Sequence, residues 1–227
     1  MMNIKNKITT LLAGGVLASS SVVNAQLSSQ QLAGKQINTI TTAVPFLLIT
    51  PDSRSGAMGD VGVAISPDAN SIHWNPSKLA FIENDAGFSM SYSPWLRRLV
   101  NDINLAYVTG YKKLDDFSSI SASLRYFSLG NITFTDQTGG TIRDFNPSEF
   151  AIDGAYARKL SENFSVGLAA RYVNSNLTGG TSVQGANTKA GQSVAADVSG
   201  YYQSNEFEIQ GRKSTIAAGL NISNIGI

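Results

Sequence analysis

Hydrophobic and polar residues alternate along most of the chain after residue 85. The period of two is that of a β-strand whose two faces lie in different surroundings, rather than the 3.6 of a helix. The run Phe88-Ser89-Met90-Ser91-Tyr92 shows the pattern in its simplest form. Seven such runs predict seven strands and therefore an all-β fold. The first apolar residues of these runs are Phe88, Ile103, Ile120, Phe150, Phe164, Val194 and Ile216.

The lengths of the runs and of their connections favour a transmembrane antiparallel β-barrel. Most runs hold about ten residues, whereas the strands of a soluble β-sandwich, the alternative, hold about 5–6 and membrane-barrel strands about 9–11. Short connections at 113–117 and 160–163 alternate with long ones at 129–149 and 174–192, as expected of periplasmic turns and extracellular loops. The connection at 204–214 is intermediate in length.

The charged residues in the strand interiors keep to the polar face. A charge facing lipid at the middle of a bilayer costs about 2–4 kcal/mol, so this face is expected to line the lumen. The signs alternate from strand to strand, and we expect neighbours such as Arg125 and Asp153 to pair. Two interpretations stay open, a ladder that fixes the strand register and a lining that contacts a ligand or a path. The predicted lumenal charge ladder consists of Arg125, Asp153, Arg171 and Asp197.

The first 25 residues have the pattern of a secretory signal peptide. Lys5 and Lys7 precede an uncharged stretch, 8–23, and Val23-Asn24-Ala25 places short residues before a cleavage site at Gln26. The alternative is an N-terminal membrane anchor, for which the apolar stretch is short and rich in Ser and Gly. We therefore expect an exported protein.

The next segment, 26–85, does not alternate and holds two distinct blocks. The first, 44–52, is apolar and contains two prolines, and the second is rich in glycine. Gly56, Gly59 and Gly62 also suggest a phosphate-binding loop, but the lysine and the βαβ context of such a loop are missing. The most distinctive residues of the segment are Arg54, Gly56, Met58, Gly59, Asp60, Trp74, Asn75 and Pro76.

These distinctive residues resemble the N-terminal plug of the FadL-like outer-membrane barrels. Together with the blocks 42–52 and 91–96, they resemble the PorV family of the type IX secretion system of Bacteroidota. The resemblance implies a plug at 26–85 and a FadL-like barrel at 86–227. It also implies 14 strands, an even number as in other bacterial barrels. Seven strands are half of that number, so the sequence is expected to be a C-terminally truncated chain.

The resemblance also implies a function that is not enzymatic. Proteins of this family bind secreted cargo through its C-terminal signal domain and carry it from the translocon to the surface sortase complex. The expected partners are therefore the translocon, the attachment complex, the cargo signal domains and outer-membrane lipid. Two alternatives are a FadL-like transporter of hydrophobic small molecules and a passive barrel. The expected partner-contact loop, which could equally anchor the barrel at the lipid headgroups, contains Trp95, Leu96, Arg97 and Arg98.

The composition restricts the remaining chemistry. The chain has 227 residues, no Cys and one His, which excludes disulfides and Cys-ligated or multi-His metal sites. Lys and Arg number 17 against 16 Asp and Glu, so no basic patch points to nucleic acid. We expect no cofactor and no catalytic site. A charged fraction of 15% with 21 Gly fits a barrel wall.

Overall fold

Seven long strands form one antiparallel sheet, the framework of the fold. The computed structural model describes residues 44–94, 98, 102–135, 138–177, 179, 182–183, 186–187 and 189–226. The predicted signal peptide, 1–25, and the first part of the predicted plug, 26–43, lie outside the described residues. The long strands are β1 (Ala86–Pro94), β2 (Ile103–Lys113), β3 (Ser118–Leu129), β6 (Ser148–Lys159), β7 (Phe164–Asn176), β10 (Gly191–Gln203) and β13 (Ala217–Gly226). They lie in the sheet in this order, so each pairs with the next along the chain.

Three short hairpins lie in the connections between the long strands. They are β4 (Ile132–Thr135) with β5 (Thr141–Phe145), β8 (Ser182–Val183) with β9 (Ala186–Asn187), and β11 (Phe207–Ile209) with β12 (Arg212–Ser214). The predicted all-β class and its seven long strands are confirmed. The hairpins were not predicted, because runs of two to five residues are too short to show a period.

The described residues before β1, here called the N-terminal segment (44–85), contain only short helical turns. They are a 3-10 turn (Pro45–Leu48), α1 (Ser53–Ala57), α2 (Ser71–Trp74) and a second 3-10 turn (Pro76–Phe81). Both 3-10 turns start at proline, whose fixed φ suits a first helical position. The side chains of Asp52 and Asn75 cap α1 and the second 3-10 turn. In the part of the chain that the structure describes, no helix is long and apolar enough to cross a membrane.

The exposed face of the sheet is mostly apolar and its buried face carries charges, which is the reverse of a soluble protein. Phe88 and Met90 are 85% and 76% exposed, and the outward side chains of most other long strands are likewise apolar. Strand β2 differs from the expected pattern, because its Leu105, Tyr107 and Tyr111 face inward and are buried. The inward side chains include Arg125, Asp153 and Asp197, all buried. The N-terminal segment covers this inward face, because its turns contact β3, β6, β7 and β10.

The buried interior has two apolar clusters with a polar belt between them. One cluster lies toward the long-loop end of the sheet and joins Phe46 to Leu105, Phe127 and Val173. The other lies toward the short-turn end and joins residues of α2 and the second 3-10 turn to the inward alanines of β6 and β7. The polar belt consists of Ser123, Arg125, Asp153, Arg171 and Asp197.

The sheet does not close on itself among the described residues. Its edges are β1 and β13, each with one neighbour in this sheet. A closed barrel, its FadL-like type and a plug role for the N-terminal segment therefore stay predictions.

Candidate functional site: the polar belt and the segment that covers it

Arg171 is the centre of the polar belt. Its Nε lies 2.5 Å from Oδ1 of Asp153, and its Nη2 lies 3.2 Å from Oδ2 of Asp197. Asp153 is directly opposite Arg171 on the neighbouring strand, whereas Asp197 is one diagonal step away on the other side. All three side chains are buried, so a charge without its partner would be strongly unfavourable. Ser123 donates a further hydrogen bond to Asp153 at 2.7 Å.

The belt extends to the last long strand through Asn224. The backbone N–H of Asn224 donates to Oδ1 of Asp197 at 2.7 Å, and the Asn224 side-chain oxygen accepts from Nη1 of Arg171. Asn224 has a positive φ of 59°, and the β10–β13 register shifts between Ala196 and Val198. The carboxylate of Asp197 therefore stabilises the irregular pairing of these two strands.

Arg125 contacts the N-terminal segment instead of a carboxylate on the next strand. Its Nη1 donates to the carbonyl oxygen of Leu47 at 2.9 Å and to that of Phe46 at 3.4 Å. Ser123, not Arg125, lies opposite Asp153 in the β3–β6 register. The expected pair of Arg125 with Asp153 is therefore wrong, because the two residues are offset and Arg171 occupies the aspartate.

His73 is the second partner of Arg125. Nη2 of Arg125 lies 2.7 Å from Nδ1 of His73. Since a guanidinium can only donate, Nδ1 must accept, and the ring is neutral with its proton on Nε2. Burial, followed by the charges of Arg125 and Arg171, holds the pKa of His73 well below its ordinary value.

Trp74 and its neighbours fix the centre of the N-terminal segment. The indole Nε1 donates to Asp52 at 2.9 Å, and the other oxygen of Asp52 accepts from the Ser55 backbone. A Cβ at Gly62 would lie 2.0 Å from Cγ of Trp74, so only glycine allows this contact. Asp52 and Gly62 were not among the predicted site residues.

Asn75 and Ser77 attach the segment to the sheet. The Asn75 side-chain N–H donates to the carbonyl oxygens of Val63 and Gly200 at 3.0 and 3.1 Å, and its oxygen accepts from Ser77. The Ser77 backbone N–H also donates to Ser199, and its carbonyl accepts from Ser165 at 2.7 Å. Pro76, between them, is buried at the start of the second 3-10 turn.

The remaining distinctive residues lie on the outer part of the segment. Arg54 pairs with Asp68 at 2.7 Å and donates to Ser66, and about two fifths of its side chain is exposed. Asp60 accepts from Thr50. Gly59 has φ 81° and Asp60 φ 60°, so the chain turns sharply after α1. Gly56 and Met58 are exposed.

The comparison with known families bears on this whole arrangement. A family model described as type IX secretion system protein PorV matches residues 32–227. The matched range includes the N-terminal segment and all seven long strands. The chain belongs to the PorV family. No curated protein matches the chain. The match to the family model confirms the resemblance noted in the sequence. PorV proteins are secretion-system components.

Lys78 is a buried cation that sequence reasoning on this PorV-family chain missed. Its side chain is fully buried, and Nζ donates to the carbonyl oxygen of Gly62 at 2.6 Å. Burial, only partly opposed by Asp68, lowers the pKa of Lys78 to about 8. A single lysine between polar residues and the apolar run 79–82 gives no signal of burial.

The expected partner-contact loop of this PorV-family chain is largely outside the described residues. Trp95, Leu96 and Arg97 belong to that undescribed part, whereas Arg98 lies in a turn and is exposed. The connection holding Arg98 is at the same end of the sheet as the connections that carry β4–β5 and β8–β9. Among the described residues, no three His, Asp or Glu side chains come close enough to hold a metal ion.

Proposed function

We propose that this chain is an outer-membrane component of the type IX secretion system. In this proposal it binds secreted cargo through the cargo's C-terminal signal domain and passes it from the translocon to the surface attachment complex. The observation that carries the proposal is the PorV family match over residues 32–227. The binding and transfer steps follow from the family resemblance of the sequence.

The outer-membrane location is supported by the inverted faces of the sheet. In water, an exposed face bearing Phe88, Met90 and Leu124 beside buried Arg171 and Asp153 would be strongly unfavourable. In a bilayer the same arrangement is favourable, because lipid covers the apolar face and the charges lie away from it. We propose that the seven long strands form part of a barrel wall, that residues 44–85 are part of the plug, and that residues 1–25 direct export.

The long-loop end is the proposed contact region for cargo and for the attachment complex. Three connections lie at this end, and one of them contains Trp95, Leu96, Arg97 and Arg98. Two of them also carry a short hairpin, and in one hairpin the guanidinium of Arg143 lies 5.2 Å from the Phe134 ring centroid and 5.3 Å from that of Phe145. Aromatic residues and arginine are enriched in protein interfaces.

The test is deletion of the gene in a bacterium with a type IX system, followed by complementation. We expect cargo with the C-terminal signal domain to accumulate in the periplasm or to lose surface attachment, and the plasmid-borne gene to restore it. A secreted protein without that domain serves as the control and should be unaffected. Normal secretion of the cargo would contradict the proposal, and normal secretion with poor growth on a hydrophobic substrate would indicate a transporter.

A charge reversal tests the proposed contact region separately. Arg98→Glu should lower the amount of surface-attached cargo, because it reverses a charge at the long-loop end. Arg212→Glu is the matched control, since Arg212 is also exposed but lies on the β11–β12 hairpin at the opposite end. Equal secretion by both variants, at equal amounts of the protein in the membrane, would contradict a role for the loop while leaving the family function intact.

A further inference from the structure

The 3-10 turn Pro45–Leu48 packs on the sheet through the apolar cluster around Phe46 and is hydrogen-bonded to the sheet by one guanidinium. Phe46 is buried and stacks on Phe127 with 6.4 Å between ring centroids and an interplanar angle of 2°. Arg125 donates to the carbonyl oxygens of Phe46 and Leu47 through a single nitrogen, Nη1. Arg125 is 1% exposed, so no solvent competes for these hydrogen bonds.

The other nitrogen of Arg125 depends on His73. Nη2 donates to Nδ1 of His73, which lies on α2 and packs edge-on against Trp74. A proton on Nδ1 would place a donor against a donor and add a cation beside a buried guanidinium. The bond therefore exists only while His73 is neutral.

The charges that act on His73 among the described residues disfavour its protonated form. Arg125 of β3 and Arg171 of β7 are the cations that lower the pKa of His73. Asp153 of β6 and Asp197 of β10 carry the opposite charges, but both already contact Arg171.

We propose that the Arg125–His73 pair is a latch that holds the Pro45–Leu48 turn on the sheet while His73 is neutral and releases the turn when His73 is protonated. Val44, which precedes the turn, has φ 66°, a conformation that a β-branched residue rarely adopts. External contacts must therefore maintain the docked geometry, and losing them relaxes it. Release would uncover the long-loop end of the polar belt. The proposal does not depend on the secretion function.

Hydrogen–deuterium exchange of the full chain in lipid vesicles tests the latch. The amides of Leu47 and Ile49, which bond to Val44 and Phe46, report on the turn. Exchange is compared at about pH 7.5 and about pH 5, which bracket the ordinary pKa of His. Each measured exchange rate is divided by the intrinsic exchange rate of an unprotected amide at the same pH. Because a released His73 regains its ordinary pKa of about 6.5, each pH unit below that value favours the released turn about tenfold, so we expect protection of this turn to fall at least tenfold at about pH 5.

Three comparisons make the result specific. His73→Asn keeps an acceptor at the position of Nδ1 at every pH and should retain protection at the lower pH. Arg125→Met should show weak protection of the turn at both pH values. The amides of Lys78, in the second 3-10 turn, and of Ile82, directly after it, should stay protected throughout, because this turn packs at the other end of the interior.

Several outcomes would overturn the latch. The first is full protection of the Pro45–Leu48 turn in the parent at the lower pH. The second is a loss of protection in His73→Asn equal to that in the parent. The third is a parallel loss of protection in the second 3-10 turn, which would indicate global unfolding. If Arg125→Met does not fold, Arg125→Lys replaces it, because lysine keeps the charge but has one nitrogen in place of the two that contact the turn and His73 separately. Protection of the Pro45–Leu48 turn in Arg125→Lys equal to that of the parent would then contradict the proposal.

Discussion

At the scale of single residues, Gly167 sets how closely the N-terminal segment approaches the sheet. A Cβ at Gly167 would lie 2.4 Å from the backbone nitrogen of Ser77 and 2.7 Å from Oγ of Ser199. These two atoms are themselves joined by a hydrogen bond of 3.1 Å. The attachment through Asn75 and Ser77 therefore requires a residue without a side chain at this position of β7.

Gly167→Ala is expected to lower the free energy of unfolding by about 1–3 kcal/mol, the usual cost of overpacking. Gly154→Ala is the matched control, because a Cβ at Gly154 on β6 meets nothing within 4 Å. That control should be neutral or slightly stabilising. Urea titration of both variants measures the difference, and equal stabilities would show that the segment can shift to accommodate the methyl group.

Lys78 is expected to make the free energy of unfolding depend on pH in a defined direction. Its pKa in the folded protein is about 8 and that of an unfolded lysine is about 10.4. Between these values the unfolded chain binds more protons, so the free energy of unfolding should rise with pH through this window. Lys78→Met should abolish the rise, whereas Lys112→Met, which removes an exposed lysine, should keep it. Unfolding titrations across the window would contradict the prediction if Lys78→Met followed the parent.

Sequence reasoning at this scale found the four charged residues of the belt, but neither Ser123 nor all of the partners of these residues. That Arg125, Asp153, Arg171 and Asp197 share a face follows from the strand period. The partners of Arg125 do not follow, because Leu47 and His73 are 78 and 52 positions away in sequence. Such contacts depend on how a non-repetitive segment folds over the sheet.

At the scale of elements, the turn between β2 and β3 is organised by one aspartate. Oδ1 of Asp115 accepts from the backbone N–H groups of Phe117 and Ser118 at 2.8 and 2.7 Å, and Oδ2 accepts from the Ser118 hydroxyl. The sequence predicted only a short connection, 113–117, here. The hydrogen bonds of Ser118 and then of Phe117 lower the pKa of Asp115.

Asp115→Asn is expected to lower the urea midpoint of unfolding at neutral pH. The carboxylate contributes stability above the unfolded pKa of about 3.9, and this contribution is lost as the pH falls through the lower folded pKa. The variant should therefore differ from the parent at neutral pH and converge on it in acid. Asp116→Asn, a change at the next residue, is the control and should match the parent. A difference that persists unchanged in acid would contradict the role of the carboxylate.

Element lengths decided which elements could be predicted. Strands of nine to thirteen residues show several periods of alternation, and all seven were recognised. The helical turns of four to six residues are shorter than two turns of helix, so no period identifies them. Proline at Pro45 and Pro76 is compatible with a helix start but also with any extended or turn conformation.

At the scale of the whole molecule, the outward apolar face of the sheet is the surface expected to contact lipid. Leu124 lies near the middle of β3 and is 47% exposed, and Leu114 lies in the adjoining turn and is 54% exposed. In water the two leucines are in similar surroundings. In the proposed membrane location only Leu124 faces hydrocarbon.

Leu124→Arg is therefore expected to reduce insertion into lipid vesicles, because an arginine near the bilayer midplane costs about 2–4 kcal/mol. Leu114→Arg changes the same residue type at similar exposure and should insert normally. Protease protection after mixing with vesicles measures the inserted fraction. Equal insertion of the two variants would contradict contact between the outward face and lipid.

The sequence by itself determined the all-β class, the seven long strands, the shared face of the four charged belt residues and the family. Period, length and short motifs are local properties, and neighbouring residues are sufficient to specify them. Only the tertiary structure decided that Arg171 joins two aspartates, that Arg125 bonds to the N-terminal segment and that Lys78 is buried. These contacts depend on the diagonal offset between strands and on a segment without a period, both of which are fixed when the chain packs as a whole.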